Sequence, residues 1–283
     1  MRLIVLLASL SCSISLASNF SGPTSTAIGG AGTAGVNILE ASHRNPATLP
    51  HVVGYHFGFL YNSGSARGEA TAPETSVSDF GIVLTDVSEE VLVPAALSYV
   101  KGTTVVNGVE TNESEIHVGA GFRVVKFLTA GFSIERLTQS QLNGPEMLDH
   151  NATAGLLFTP RFNIGLSLVF RDMLNTRNIE MNPTTTVGVL WMFDTFLKVY
   201  LDLSQPQKSN PSRREIVAIG VESTPVGREV MVRTGGRWDQ YIGKRYMTAG
   251  LGWDGPNLSV DWGYEKNLDF DEYRHLVDMR VQF

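Results

Sequence analysis

Three groups of residues in this 283-residue chain have the types and spacing to do chemistry. Gly30, Gly32 and Gly35 show the Gly-x-Gly-x-x-Gly spacing that cradles a dinucleotide pyrophosphate, which requires a strand before it and a helix after it. No strand pattern precedes these glycines and no βαβ unit follows, so small residues that permit close backbone packing explain them better. A nucleophilic relay needs serine, histidine and an orienting partner clustered at one place. Around His150 the nearest candidates are Ser140, placed in a loop, and Asn151, placed on the opposite strand face. No Gly-x-Ser-x-Gly occurs, and the histidines do not cluster at metal-ligand spacing. The expectation is therefore no enzyme, no cofactor and no metal site.

The third group is charged residues set at alternate positions within apolar segments: His56, Asp79, His117, Arg123, Glu135, Arg171, Lys198, Asp202, Glu222, Arg233, Arg237, Asp261, Glu265, Asp278 and Arg280. Both signs are present. Gathered on one side of a sheet, they would either pair into a network that seals an interior or tune the selectivity of a polar conduit.

The elements that carry them alternate with period two. Val277, Met279, Val281 and Phe283 fall on one face of the last segment, with Asp278, Arg280 and Gln282 on the other. Leu258, Val260, Trp262 and Tyr264 oppose Ser259, Asp261, Gly263 and Glu265 in the same way. Strands between lipid and a lumen show this split over ~9–11 residues. Fourteen such segments are predicted, near 52–61, 77–85, 93–101, 113–124, 127–138, 149–159, 161–171, 184–193, 195–204, 214–223, 229–238, 245–254, 257–265 and 273–283.

The connections alternate as well. Short ones (Val125-Lys126, Pro160, Asp194, Pro225–Gly227, Asp254–Asn257) interleave with longer polar ones near 62–76, 102–112, 139–148, 172–183, 205–213, 239–244 and 266–272. Short periplasmic turns and longer outer loops are the asymmetry of a bacterial barrel. The prolines at 73, 145, 160, 183, 206, 211, 225 and 256 are assigned to connections, and Pro94 to the start of a strand. The fold class predicted is all-β: a transmembrane, antiparallel, up-and-down β-barrel of about 14 strands. A soluble all-β sandwich or repeat array also predicts one apolar face. It lacks a reason for an export signal and an aromatic terminal strand.

Arg2, the apolar run Leu3–Leu16 and the small residues Ser15 and Ala17 read as a secretory signal peptide over 1–17. A lipoprotein signal through Cys12 is the alternative. Residues 18–51 precede the first predicted strand, and 52–283 hold the barrel. Removing Arg2 from 22 basic residues against 28 acidic ones leaves the mature chain at about −7, which excludes a nucleic-acid partner. Inward glycines (Gly54, Gly58, Gly119, Gly121, Gly131, Gly155, Gly165, Gly188, Gly220, Gly235, Gly250, Gly252 and Gly263) make room for either a plug or a passage.

Two stretches carry a family resemblance. The strand ending Val277, Met279, Val281 and Phe283 resembles the β-signal read by the outer-membrane barrel assembly machinery. Ala27-Ile28-Gly29-Gly30-Ala31-Gly32-Thr33-Ala34-Gly35, followed by Asn45-Pro46-Ala47, resembles the N-terminal signature of the FadL-like outer-membrane transporter superfamily, which includes PorV-like proteins. The resemblance covers about residues 22–50. It implies a 14-strand barrel in the outer membrane of a Gram-negative bacterium, among outer-membrane lipids. It also implies an N-terminal plug segment, a hatch over residues 18–51 inserted in the barrel, with Gly29, Gly30, Gly32, Gly35, Asn45, Pro46 and Ala47 at the hatch-to-barrel junction. Two functions follow from it: a porin-like transport channel for small hydrophobic compounds, or a closed PorV-like scaffold or shuttle for a secreted or surface protein. The chain is much shorter than the fatty-acid transporters, and its outer loops lack their long apolar insertions, so no substrate contacts carry over.

Overall fold

The computed structural model describes residues 20–67, 74–88, 91–141, 144–174, 183–194, 196–207, 215–227, 229–240 and 242–283. The signal peptide predicted over 1–17 lies outside them. Strands β1 (Gly54–Arg67), β2 (Glu74–Val87), β3 (Ala95–Val106), β4 (Val109–Val125), β5 (Leu128–Gln141), β6 (Met147–Arg161) and β7 (Ile164–Arg171) form the first half of the barrel. The second half is β8 (Thr184–Phe193), β9 (Leu197–Pro206), β10 (Ile216–Val226), β11 (Val230–Asp239), β12 (Lys244–Asp254), β13 (Leu258–Asn267) and β14 (Asp271–Gln282). Each pairs antiparallel with its chain neighbours, and β14 returns to β1 to close the ring. The seam runs from His56 opposite Gln282 to Arg67 opposite Asp271. Closure leaves no unpaired edge, which is what lets a sheet sit in hydrocarbon.

Its polarity is inverted relative to a soluble protein. Ile116 (45% exposed), Phe132 (48%), Ile219 (52%) and Leu251 (53%) belong to a continuous apolar outer face, far beyond the patch a soluble monomer shows. His56, His117, Asp202, Glu222, Arg233, Asp261 and Asp278 are buried inside. Bilayer hydrocarbon is the solvent that suits the outer face, while the enclosed lumen keeps the polar face away from it.

Several connections are shorter than the alternation predicts. The expected loop 102–112 is a two-residue turn at Asn107-Gly108, both residues at positive φ (53° and 78°), with β3 and β4 paired up to Val106 opposite Val109. That is the geometry a tight hairpin asks of an Asn-Gly pair. Beyond the apolar belt β3 and β4 carry threonines, glutamates and asparagine on both faces, so the alternation stops where the strands do not. Pro160, Pro206 and Pro225 lie in strands rather than in connections. Pro160 and Pro225 sit at register shifts in β6 and β10, where a missing N–H breaks no ladder bond.

Residues 20–51 lie in the lumen. They contain helices α1 (Pro23–Ala27) and α2 (Ala41–Arg44) and a 3-10 helix over Pro46–His51. Ile28, Ala31, Ala34 and Ala47 pack with Leu157, Leu190, Tyr200 and Ala218 of the wall, while Leu39 packs with Leu60 and Val83. These wall residues break the inward-polar rule of their strands. They mark where the barrel has an apolar core against its own N-terminal segment rather than a water-lined channel.

Candidate functional site

The segment fits because the wall is thin behind it. A Cβ at Gly220 or Gly235 would overlap Ile28, one at Gly250 would meet Ala27, and one at Gly263 would meet Pro23. Gly58 faces Leu39, Gly119 faces Ser42, Gly165 faces Ala34 and Gly188 faces Thr33. Of the inward glycines, all but Gly54 and Gly252 back onto the segment, so they serve a filled lumen.

The glycine stretch and the Asn-Pro-Ala work as one piece. Gly29, Gly30 and Gly32 take positive φ (75°, 79° and 108°), and Gly29 lies against the Gly236 backbone, with no room for a side chain. Gly35 fits under the Tyr200 ring. Asn45 is fully buried: its Oδ1 accepts from Ala47 N–H at 3.0 Å, and its Nδ2 donates to Thr33 O at 2.8 Å and to Leu156 O of β6 at 3.4 Å. Gly131 and Gly155 clear the space for Pro46 and Asn45, and Thr129 Oγ1 donates to Ala47 O at 2.7 Å.

The predicted lumen charges are all on the inner face, grouped in clusters. In the first, Lys198 Nζ is 2.6 Å from Glu222, Arg233 Nε is 2.7 Å from the same carboxylate, and Arg233 also pairs with Asp261. Lys198 and Arg233 stand directly opposite Glu222 on the flanking strands, whereas Asp261 is reached across the inward glycines of β12. Asp278 stands opposite Asp261 in register. A second cluster ties segment to wall: Asp202 accepts from Thr33 N–H at 3.0 Å and lies 3.7 Å from Arg44. Arg44 in turn donates to Gly30 O and Ala31 O, and Arg171 donates to Arg44 O at 2.9 Å. Arg237 pairs with Glu265 at 3.0 Å and lies over the Tyr246 ring. Toward the turn-side rim, Arg280 pairs with Asp254 at 2.8 Å, Arg123 reaches Pro50 O, and His56 Nε2 donates to Val53 O at 2.7 Å.

The remaining cluster was not legible as one. His43 of α2 stacks between Phe20 (3.8 Å) and His117 of β4 (3.9 Å). Glu115 Oε1 is 3.4 Å from His43 Nε2 and 3.6 Å from His117 Nδ1, and Glu135 is 3.6 Å from that same nitrogen. The expectation that histidines do not cluster is thus corrected: residues 74 apart in sequence meet across the segment–wall contact. Burial first, and then His117, pulls the His43 imidazole down to about 4, so it is neutral at pH 7. Ser98 Oγ lies 3.1 Å from His43 Nε2. Glu115 approaches that same nitrogen rather than Nδ1, so the trio lacks the relay order of a hydrolase. Ser140, expected in a loop, lies in β5 opposite Asn112, while His150 stands opposite Arg136, further down that strand.

Among the described residues, a cavity lies on each side of the segment. That on the loop side is about 340 Å³, bordered by Phe20, Leu60, Leu137 and Leu276 and by Asp79, Glu113, Arg171 and Arg237. That on the turn side is about 190 Å³ and more apolar, bordered by Val36, Leu157, Ile164, Leu190, Met192 and Tyr200. On the outside of β14, Val277 and Met279 face outward, and Phe283 ends the seam by donating its N–H to Tyr55 O at 3.0 Å.

No family model matches the chain, and no curated protein is similar to it in sequence. Solved structures are. The Ralstonia pickettii toluene transporter TbuX superposes with a TM-score of 0.76 at 13% identity, over 93% of this chain and 98% of its own. The monoaromatic hydrocarbon channel CymD gives 0.74 at 14% identity, over 93% and 97%. A Pseudomonas aeruginosa FadL homologue gives 0.63 at 10% identity, over 93% and 98%. At such identities the likeness is one of fold: this chain has the closed barrel of the FadL-type hydrocarbon transporters.

Proposed function

We propose that this chain is an outer-membrane channel of the FadL-like type that passes small hydrophobic compounds, with residues 18–51 as its hatch and with no enzymatic activity. The observation that carries the reading is a lumen with a loop-side and a turn-side cavity on either side of its own N-terminal segment, inside a barrel shaped like toluene and monoaromatic-hydrocarbon transporters. A dry cavity of ~150 Å³ lined by Leu, Ile and Phe takes up benzene, so the turn-side space suffices for one aromatic ring. The loop-side cavity mixes leucines with charges, which suits capture of a small compound arriving from water. Passage between the two requires the hatch to shift or the compound to leave through the wall.

Export by residues 1–17, insertion by the barrel assembly machinery through Val277, Met279, Val281 and Phe283, and residence in a Gram-negative outer membrane belong to the same proposal. Uptake of radiolabelled toluene into proteoliposomes tests it, with the mature chain and with a variant lacking residues 18–51. The mature chain is expected to accelerate uptake over empty liposomes without passing ions freely, and the truncated barrel to conduct ions. No acceleration by a correctly folded barrel would refute the channel.

One observation favours a second reading. The ladder Lys198–Glu222–Arg233–Asp261 and the Arg44–Asp202 pair neutralise the lumen charges in place, as suits a closed PorV-like barrel that holds a secreted or surface protein by its loops. Absence of transport together with a stoichiometric co-purifying protein supports that alternative.

A further inference from the structure

We propose that His43, Glu115 and His117 form a binding site for a divalent transition-metal ion of the zinc class, which fastens the N-terminal segment to the barrel wall.

Glu115 and His117 are two apart on β4, so their side chains share its inner face. His43, at the end of α2, brings the third donor from the segment. The three donor atoms all lie within 4.8 Å of one another, and Glu115 Oε1 is 3.4 and 3.6 Å from the two imidazole nitrogens. Ligands held ~2.0–2.1 Å from a tetrahedral zinc are about 3.3–3.4 Å apart. The spacing is therefore near that of a first coordination shell before any movement. Coordination needs two adjustments: His43 turns out of its stack on His117 and gives up Ser98 Oγ, now 3.1 Å from its Nε2, so that both lone pairs meet one point beside Glu115.

Two further observations point to a cation there. Glu115 Oε1 and His117 Nδ1 sit in residues only 4% and 2% exposed, and although they face each other at 3.6 Å neither completes a hydrogen bond. Such atoms are costly to bury unless something satisfies them. The other nitrogen of His117, Nε2–H, donates to the Ser42 carbonyl at 3.1 Å. A metal-bound histidine characteristically gives its remaining N–H to a carbonyl or carboxylate, which fixes the tautomer and aims the free lone pair at the ion. Here it aims Nδ1 at Glu115 and Glu135. Those two carboxylates match the charge of a divalent ion. Two imidazoles with a carboxylate select zinc-like ions over magnesium or calcium. The loop-side cavity reaches Glu115, so an ion and a water for the fourth position can enter.

The test uses the full mature chain folded in detergent micelles, stripped with chelator and titrated with Co²⁺ and then Zn²⁺ at neutral pH. The expected result is one Co²⁺ per chain with the visible absorption of a low-coordinate nitrogen–oxygen site, bleached on adding Zn²⁺. His43→Gln and Glu115→Gln should each weaken binding at least tenfold, while His150→Gln on the outer face changes nothing. Heat-modifiable migration on gels confirms that each barrel is folded. Bound metal should also slow proteolysis after Arg44 in the wild type and in neither site variant. Binding of equal affinity in folded wild type and both site variants overturns the proposal. So does the absence of binding to the folded wild type.

Discussion

Replacing Arg233 by Met removes the one cation that serves both Glu222 and Asp261. Its side chain is 3% exposed, and the carboxylates are 5% and 8% exposed. With charge centres ~4 Å apart and an effective dielectric of ~20, each pair is worth about 4 kcal/mol before desolvation. Desolvation of three ions offsets much of that, so the ladder adds little net stability over an apolar replacement. Breaking it is different. Glu222 keeps Lys198 at 2.6 Å, but Asp261 is left opposite Asp278 in register. An uncompensated buried charge costs about 3–5 kcal/mol. With a urea slope of ~3 kcal/mol per molar, the unfolding midpoint of Arg233→Met should fall by about 1–1.7 M. Tryptophan emission in lipid vesicles reads this directly. Arg233→Met with Asp261→Asn removes the orphaned charge and should recover all but about 1 kcal/mol. A single variant that costs under ~1 kcal/mol, or a double variant no better than the single, would refute the account of the lumen as paired rather than open.

Gly155→Val puts a side chain into Asn45; overpacking of ~1–3 kcal/mol should displace the segment and raise tryptic cleavage after Arg44 severalfold, and unchanged protection would mean the contact is dispensable. Leu157→Ala empties the middle of the core formed with Ile28, Ala47 and Tyr200 and should cost about 2–5 kcal/mol in the same unfolding assay. Asp172, just past β7, is pushed up to about 6 by burial first and then by the Glu135 charge. The folded state holds that proton more tightly than the unfolded chain, whose value is 3.8, so the stabilisation is present below pH 4 and lost as pH rises through 6. Asp172→Asn should flatten the pH 4–6 slope and raise stability at pH 7.5 by about 1–2 kcal/mol, a figure reduced for partial exposure; an unchanged slope would assign it to other groups.

The barrel was legible because hydrocarbon enforces period two on every strand it touches, as Val277, Met279 and Val281 show against Asp278 and Arg280. Strand ends were less so. Above the apolar belt Thr103, Thr104, Glu110 and Thr111 face water on both sides, and the pattern carries no register there. The Asn107-Gly108 pair was the missed signal, since a turn of that chemistry marks a hairpin whatever flanks it. The lumen clusters were half legible. The parity of Lys198, Glu222 and Arg233 puts them inside, and neighbouring strands make them partners. The His43–His117 stack joins two parts of the chain through a packing contact with no periodicity of its own. Its traces were indirect: inward glycines spaced around the ring, and Leu137, Leu157 and Leu190 at positions where a water-filled interior would carry polar groups.

The seam between β1 and β14 joins the first and last strands, and the segment inside is tethered to β1 through Val52 and Val53. Once that seam has zipped, the wall pressing on Ile28, Asn45 and Pro46 is a complete ring. An N-terminal piece laid down while the sheet is still an open trough would meet each wall strand without threading past Tyr200 or Leu157, whereas one arriving later would have to enter through the turn-side mouth. In the finished barrel the last strand is the clasp of a cuff, and whatever lies inside it is held by a ring with no open side.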